Sequence, residues 1–348
     1  MDEKENKLEI NATRHFTAWM AEQKASLMFT TYQTGKLFSL GLQADGRSSV
    51  FERTLARCMG LYATEDAQTV YLSTLYQIWR YERATEAGQA YAGYDGLYIP
   101  QSSSVTGDLD VHDVVLNKKN ELIFVNTLFS CLAKASDKHS FIPFWKPPFI
   151  SKLAAEDRCH LNGLAMRAGK PKYVTSVSTA DVNNGWRDRR WEGGVVMDIE
   201  KDEIITEGLS MPHSPRWYKS KLWVLNSGTG EFGYINIKKG EFNAIAFCPG
   251  YLRGMTFIND YAIVGMSQPR DNKTFNDLPL QANLKEKNAE PRCGLQVIDL
   301  NSGDVVHSIR IEGIVAELYD VIVLPNVIRP MTLGFKSDEI QHILSIGE

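Results

Sequence analysis

The 348-residue sequence predicts an all-β fold: one six-bladed β-propeller, closed where N-terminal strands pair with a strand near the C-terminus, with a short N-terminal helix. Two observations carry this. First, short β-type segments dominate: SLMFTTY, TVYLST, ELIFVNT, PKYVTS, KLWVLNS and YAIVGMS are rich in β-branched and aromatic residues and run into turn formers. Second, a pattern returns at blade-like spacing. A small or acidic residue, a few apolar residues, a polar turn and an apolar strand ending in Ser, Thr or Asn appear as MGLYATEDAQTVYLST, HDVVLNKKNELIFVNT, NGLAMRAGKPKYVTS, SPRWYKSKLWVLNS and RGMTFINDYAIVGMS, and a sixth copy opens at YDVIVLP.

Aligned on their second residues, Gly60, Asp113, Gly163, Pro215, Gly254 and Asp320, the copies lie 53, 50, 52, 39 and 66 residues apart. Four-stranded blades take ~40–50 residues, and loop insertions account for the excess. The sixth copy has no room for four strands, while LMFTTYQTGKLFSLGL and SSVFERTL near the N-terminus read as strands B, C and D lacking an A. Residues 318–325 therefore supply the missing strand, and closure protects edges that an open sheet would expose. Residues 15–24 carry the convincing helical period, so 1–25 reads as a helical extension, 26–335 as the propeller and 336–348 as a tail. MTLGF, at 331–335, has no place in this scheme, and the competing architecture is an irregular β-sandwich.

Composition narrows the function. The chain is 43% hydrophobic and 23% charged, with formal net charge −4 and pI about 6.0, so no clustered basic surface calls for nucleic acid. RDRR at 187–190 is short, flanked by acidic residues, and reads as a polar loop. No apolar run reaches the ~18 residues of a membrane helix, and the polar N-terminus has no signal-peptide core. The five cysteines, Cys58, Cys131, Cys159, Cys248 and Cys293, show no CxxC spacing, which fits buried thiols in a reducing, cytoplasmic setting.

In a propeller the starts of strands A and the ends of strands B meet on one face. The residues before the aligned column are Met59, His112, Asn162, Ser214, Arg253 and Tyr319; two further back stand Asp110, His160, Pro212, Tyr251 and Glu317. Period-two alternation sends both sets the same way, and His213 lies between them. B-strand ends add Thr31, Ser73, Asn126, Thr127, Ser176, Asn226 and Ser227. Two long B–C insertions, 178–194 and 268–294, rise over the same face as lids, while the other face receives short turns such as LNKKNE and INDY.

Three of the seven histidines, His112, His160 and His213, sit at blade starts. Neutral imidazole is the commonest transition-metal ligand, so these three with an open position suit iron, zinc or manganese. Glu317, Asp110 or Asn162 would complete the shell. The plainer alternatives are hydrogen bonds to the inner strands or acid–base contact with substrate. Arg253, the guanidinium of the channel column, binds a substrate anion or pairs with Glu317 or Asp320. Asp113 and Asp320 either orient channel histidines or cap inter-blade turns. No nucleophile elbow, P-loop, HExxH or GxGxxG motif is present, and Cys159 points away from its neighbour His160 if both lie on a strand.

The stretches TTYQTGKL, GDLDVHDV, EDRCHLNGLAM, MPHSPRWY and LNSGTGE resemble a bacterial propeller-like family of unassigned function, along essentially the whole chain. That resemblance implies a soluble protein. More distantly, HLNGLA resembles a blade start of the gluconolactonase and paraoxonase propellers, where the Asn, here Asn162, would ligate calcium. Calcium takes oxygen shells, whereas this channel is rich in histidine. The ligand type is nearer that of carotenoid oxygenases and oligogalacturonate lyases, whose motifs are absent.

The expectation is a metal-dependent hydrolase, lyase or oxygenase acting on a small or peptide-like substrate. His112, His160 and His213 would hold the metal; Arg253, Glu317 and Tyr319 would be catalytic; Asn126, Asn162, Asn226, Trp186 and Arg253 would bind substrate. The alternative is a non-catalytic propeller binding a peptide or protein on that face, anchored by Trp186, Trp191 and Phe275.

Overall fold

Runs such as Leu27–Met28–Phe29 and Leu222–Trp223–Val224–Leu225 are apolar at every position, which a strand needs only when both faces are buried. The computed structural model, which describes residues 7–269 and 277–347, buries them that way. Leu27 and Phe29 face one neighbouring sheet and Met28 the other, just as Trp223 and Leu225 face one and Leu222 and Val224 the other. Six sheets form six blades, and each of the six gaps between them holds its own apolar layer.

Blade 1 contains Val321–Pro325, Ala25–Thr30, Lys36–Leu42 and Ser48–Thr54; blade 2 contains Leu61–Ala63, Thr69–Ser73, Gln77–Arg83 and Gly96–Val105. Blades 3, 4, 5 and 6 open with the inner strands Val111–Leu116, Leu161–Arg167, Pro212–Tyr218 and Tyr251–Ile258. Each inner strand touches the next around the ring. Closure is as the repeat predicts: Ala25 pairs with Pro325 through Phe29 with Val321, and Thr30 N–H donates to Asp320 O at 2.9 Å.

Both chain ends go further than the sequence reading. The extension before residue 25 is not only helical, because Glu9–Ala12 adds a fifth, antiparallel strand to the outer edge of blade 6. Helix α1 (Phe16–Gln23) then buries Phe16, Trp19 and Met20 in the layer between blades 6 and 1. At the other end Pro330–Thr332, overlapping the start of the unplaced MTLGF segment, adds a parallel strand to the outer edge of blade 2. Met331 and Leu333 pack there on Leu97 and Ile99. The two blades flanking the closing blade are thus each clamped by one chain end.

Half-way along the channel the inner strands crowd. The aligned column alternates around the ring between residues with and without a Cβ-bearing side chain to place: a Cβ on Gly60 would meet Asp113 Cα at 3.1 Å, and one on Gly254 would meet Asp320 Cα at 2.6 Å. Asp113, Asp320 and Arg216 fill the space that remains. Arg216 forks onto Asp113 at 2.7 and 3.3 Å and stands 3.8 Å from Asp320. Asp113 accepts from Leu164 N–H of the next blade, and Asp320 from Leu61 N–H of the next. Both aspartates therefore cap neighbouring strands and hold Arg216; neither reaches a histidine. The cluster divides the channel into two chambers, one at each mouth.

Candidate functional site

At the mouth carrying the strand-A starts, a cavity of about 150 Å3 is lined by His112, His160, Arg253, Tyr319, Trp186 and Tyr32, among others. It shares Tyr32, Asp110 and Asp157 with a more open lobe of about 340 Å3 that reaches Arg57 and Asp108.

The three predicted histidines share one device. His112 Nδ1 lies 2.8 Å from Asp110 O and 2.8 Å from Thr127 Oγ1. The Thr127 hydroxyl donates to Leu161 O, so it accepts from His112. His160 Nδ1 lies 2.9 and 3.0 Å from the two Asp157 carboxylate oxygens, and His213 Nδ1 lies 2.8 Å from Met211 O. Partners that only accept assign the proton to Nδ1 in each ring and leave Nε2 with its lone pair.

Their surroundings differ. Burial lowers His112 to about 4, and burial followed by the Arg253 charge lowers His213 well below its ordinary value, so both are neutral near pH 7. Asp157 is held below its ordinary value although burial alone would raise it: the neighbouring His160, His112 and Trp186 together more than offset desolvation, Trp186 Nε1 through a 2.7 Å bond. The Trp186 indole also stacks on His160 at 4.3 Å, and His112 meets His160 edge-on at 4.8 Å. His213 is set apart, its ring against Tyr251. A three-histidine centre is not assembled: among the described residues no group of three or more His, Cys, Asp or Glu side chains is placed to hold a metal ion.

Arg253 lies between aromatic rings, 5.1 Å from the Tyr251 centroid, 5.2 Å from Tyr319 and 5.9 Å from Tyr32. Burial would lower its pKa, but the tyrosines and Glu317 raise it, so it is a permanent cation nine-tenths buried. Glu317 is also buried. Asp320, the other partner expected for Arg253, faces Arg216 instead. Tyr319 Oη and His213 Nε2 are buried without a hydrogen-bond partner among the described residues.

The asparagines lie outside this cavity. Asn126 Oδ1 accepts from Phe129 N–H in the loop after its B strand, Asn226 Oδ1 accepts from Ser210 N–H in the turn that leads into the inner strand of blade 5, and Asn162 Oδ1 accepts from the Thr175 hydroxyl at 2.7 Å. Trp186 is 3% exposed and roofs His160, so it offers no external anchor; Trp191 is 39% exposed, and Phe275 lies outside the described residues. The two insertions are not separate flaps. Trp186 from one and Leu278, Leu280 and Leu284 from the other share a small core with Met211 and Tyr251. Cys159 is buried and its thiol is pushed up to about 12, away from nucleophile chemistry.

Sequence reasoning missed Asp157, Tyr32 and Arg216. Asp157 carried a signal, a carboxylate three residues before a histidine at a blade start, but the segment is a turn with Asp157 at φ 42° and His160 at φ 52°, where strand alternation does not apply.

A closed six-bladed propeller with a buried imidazole, arginine and tyrosine cluster at one mouth is the class that fold and site define. The chain belongs to the family described as a domain of unknown function, DUF4915, which matches residues 14–333. Among curated proteins none matches the sequence. It is similar to a solved chain of a nidogen/laminin complex, with 12% identity over 87% of this chain and 99% of that one and a TM-score of 0.54, a likeness of fold alone. Virginiamycin B lyase from Staphylococcus aureus, solved with quinupristin, gives 13% identity over 87% and 99% with a TM-score of 0.41. A streptogramin B lyase gives 12% over 76% and 97%, also with a TM-score of 0.41.

Proposed function

We propose that the protein is an enzyme of the lyase or hydrolase type that moves a proton on a small anionic substrate bound in the histidine-lined mouth. The observation that carries this is the Asp157–His160 pair: a carboxylate holds Nδ1, so Nε2 is the basic atom offered to the cavity. Arg253 supplies the buried positive charge for the substrate anion, and the unpartnered Tyr319 hydroxyl supplies a donor beside it. His112, neutral and edge-on to His160, is the second proton-carrying group. The inner cavity of about 150 Å3 limits the reacting part to a few heavy atoms. A divalent iron, manganese or zinc ion bound at this mouth would take His112 and His160 as its neighbouring imidazoles and would supply Lewis acidity there.

The test is depletion of compounds from a pool of small organic acids, followed by mass spectrometry. The wild type should consume at least one anion, and Asp157→Asn should slow this by ~10²-fold or more. Arg253→Gln should raise KM more than it lowers kcat. No depletion, or equal depletion by His160→Ala, would contradict the reading. A metal near one equivalent that His112→Ala removes, with activity following the metal, would replace it by the metal-dependent form.

A further inference from the structure

We propose that the substrate of the histidine-lined mouth is a zwitterion, with an ammonium group several bonds from its anionic end, and that the Asp110 carboxylate binds the ammonium. The anionic end rests on the role proposed above for Arg253; the cationic end is read from the outer lobe of the cavity.

The inner cavity and the lobe of about 340 Å3 share Tyr32, Asp110 and Asp157 as walls, and their charges are opposite. Arg253 makes the inner end cationic. The lobe is acidic, with Asp108, Asp110, Glu156 and Asp157 set against Arg57. Three of these four acids are already held. Arg57 binds Asp108, Arg158 binds Glu156 at 2.7 Å, and His160 and Trp186 bind Asp157. The Asp110 carboxylate makes no hydrogen bond among the described residues: Arg57 stands 3.9 Å from one oxygen and the neutral His112 3.7 Å from the other. It lies where the two cavities join, as an acceptor that an ammonium group, with three N–H donors, would satisfy. The inner end is built for a ligand as well. The Tyr319 hydroxyl, more than nine-tenths buried, lines it with no partner among the described residues, and a buried donor left unpaired is costly. The two ends are set apart by rings: His112 meets Tyr319 at 5.5 Å, and Arg253 lies 5.2 Å from the Tyr319 centroid. A dianion spanning them would place its second charge against Asp110, whereas a zwitterion finds an opposite charge at each end.

Titration of the full chain at pH 7 with 5-aminopentanoate, pentanoate, pentylamine and glutarate, followed by saturation-transfer spectra of the ligand, tests this. 5-Aminopentanoate should bind at least ~10-fold more tightly than each of the other three, the gain of one hydrogen bond between charged groups. Asp110→Asn keeps the backbone carbonyl that pairs with His112. It should bind 5-aminopentanoate ~10-fold more weakly than wild type, and pentanoate at least as tightly. Arg253→Gln should weaken both. Glycylglycine run beside 5-aminopentanoate separates a peptide from an ω-amino acid as the source of the two charges, and tighter binding of either supports the proposal. Pentanoate binding that gains nothing from the ammonium, or an Asp110→Asn variant that weakens both ligands equally or neither, would overturn the proposal and leave the anion role of Arg253 standing. Saturable binding of none of the ligands, or full affinity in Arg253→Gln, would overturn both.

Discussion

His112, His160 and His213 show how one side chain takes different roles according to what faces it. Two are walled in and neutral; the third is tied to a carboxylate. The buried pair has a consequence for stability. The unfolded chain protonates His112 below its ordinary 6.5, while the folded protein resists until about 4. The unfolded state therefore binds more protons between these values, and this group's contribution is lost as pH falls through that window, by up to ~1.4 kcal/mol per unit. Asp320 acts in the opposite sense. Burial pushes it up to about 7 against the pull of Arg216, so the folded state binds more protons between 3.8 and 7 and its contribution is lost as pH rises through that range. The two partly cancel in the wild type. Denaturation at pH 7 and pH 5 should separate them: His112→Gln should lose less stability on acidification than wild type, and Asp320→Asn should lose more. Equal pH dependence in all three proteins would contradict the burial of these groups. The histidines were legible from the repeat because each stands at a blade start. Asp157 was not, because it works from a left-handed turn and the alternation rule speaks only of strands.

Among the elements, the two insertions and the two chain ends matter most. The insertions share a core, so loosening one should loosen both. Trp186→Ala removes a buried indole from that core and its bond to Asp157, and should cost ~3–5 kcal/mol. Hydrogen exchange should then rise in helix α2 (Pro279–Glu286) as well as near residue 186; protection kept in the helix would show the insertions to be independent. The chain ends differ in depth. Truncation before Leu318 removes the inner strand of blade 1 and leaves buried backbone groups unpaired at ~1–3 kcal/mol each, enough to exceed a typical stability of ~5–15 kcal/mol. Deleting residues 1–14 removes only an outer-edge strand and keeps Phe16, Trp19 and Met20, so it should lower the melting point while leaving a folded ring. A truncation before Leu318 that melts like wild type would contradict closure. Strands were legible because runs such as Leu27–Phe29 and Leu222–Leu225 are apolar on both faces, and closure because the sixth copy of the repeat leaves no room for four strands. The outer clamps were not, since an edge strand such as EINA is mostly exposed and carries no such pattern.

At the scale of the molecule, the ring brings together groups that are distant in sequence: His112 from blade 3, His160 from the turn before blade 4, Arg253 from blade 6 and Tyr319 from the segment just before the strand that closes blade 1. The aligned column foretold the shared face. It did not foretell the Arg216 cluster that divides the channel, because the inner strand of blade 5 shifts register between His213 and Arg216, and the arginine falls outside the alignment. At one mouth of the divided channel the histidines carry their protons on Nδ1 and leave Nε2 unprotonated, with His160 set by Asp157. Long-range proton–nitrogen correlation spectra of the histidine rings test it most directly. A proton is expected on Nδ1 of His112, His160 and His213, with the His160 Nδ1 proton shifted downfield in wild type and moved upfield in Asp157→Asn. A proton on Nε2 of neutral His112 or His213, or a His160 signal indifferent to Asp157→Asn, would contradict it.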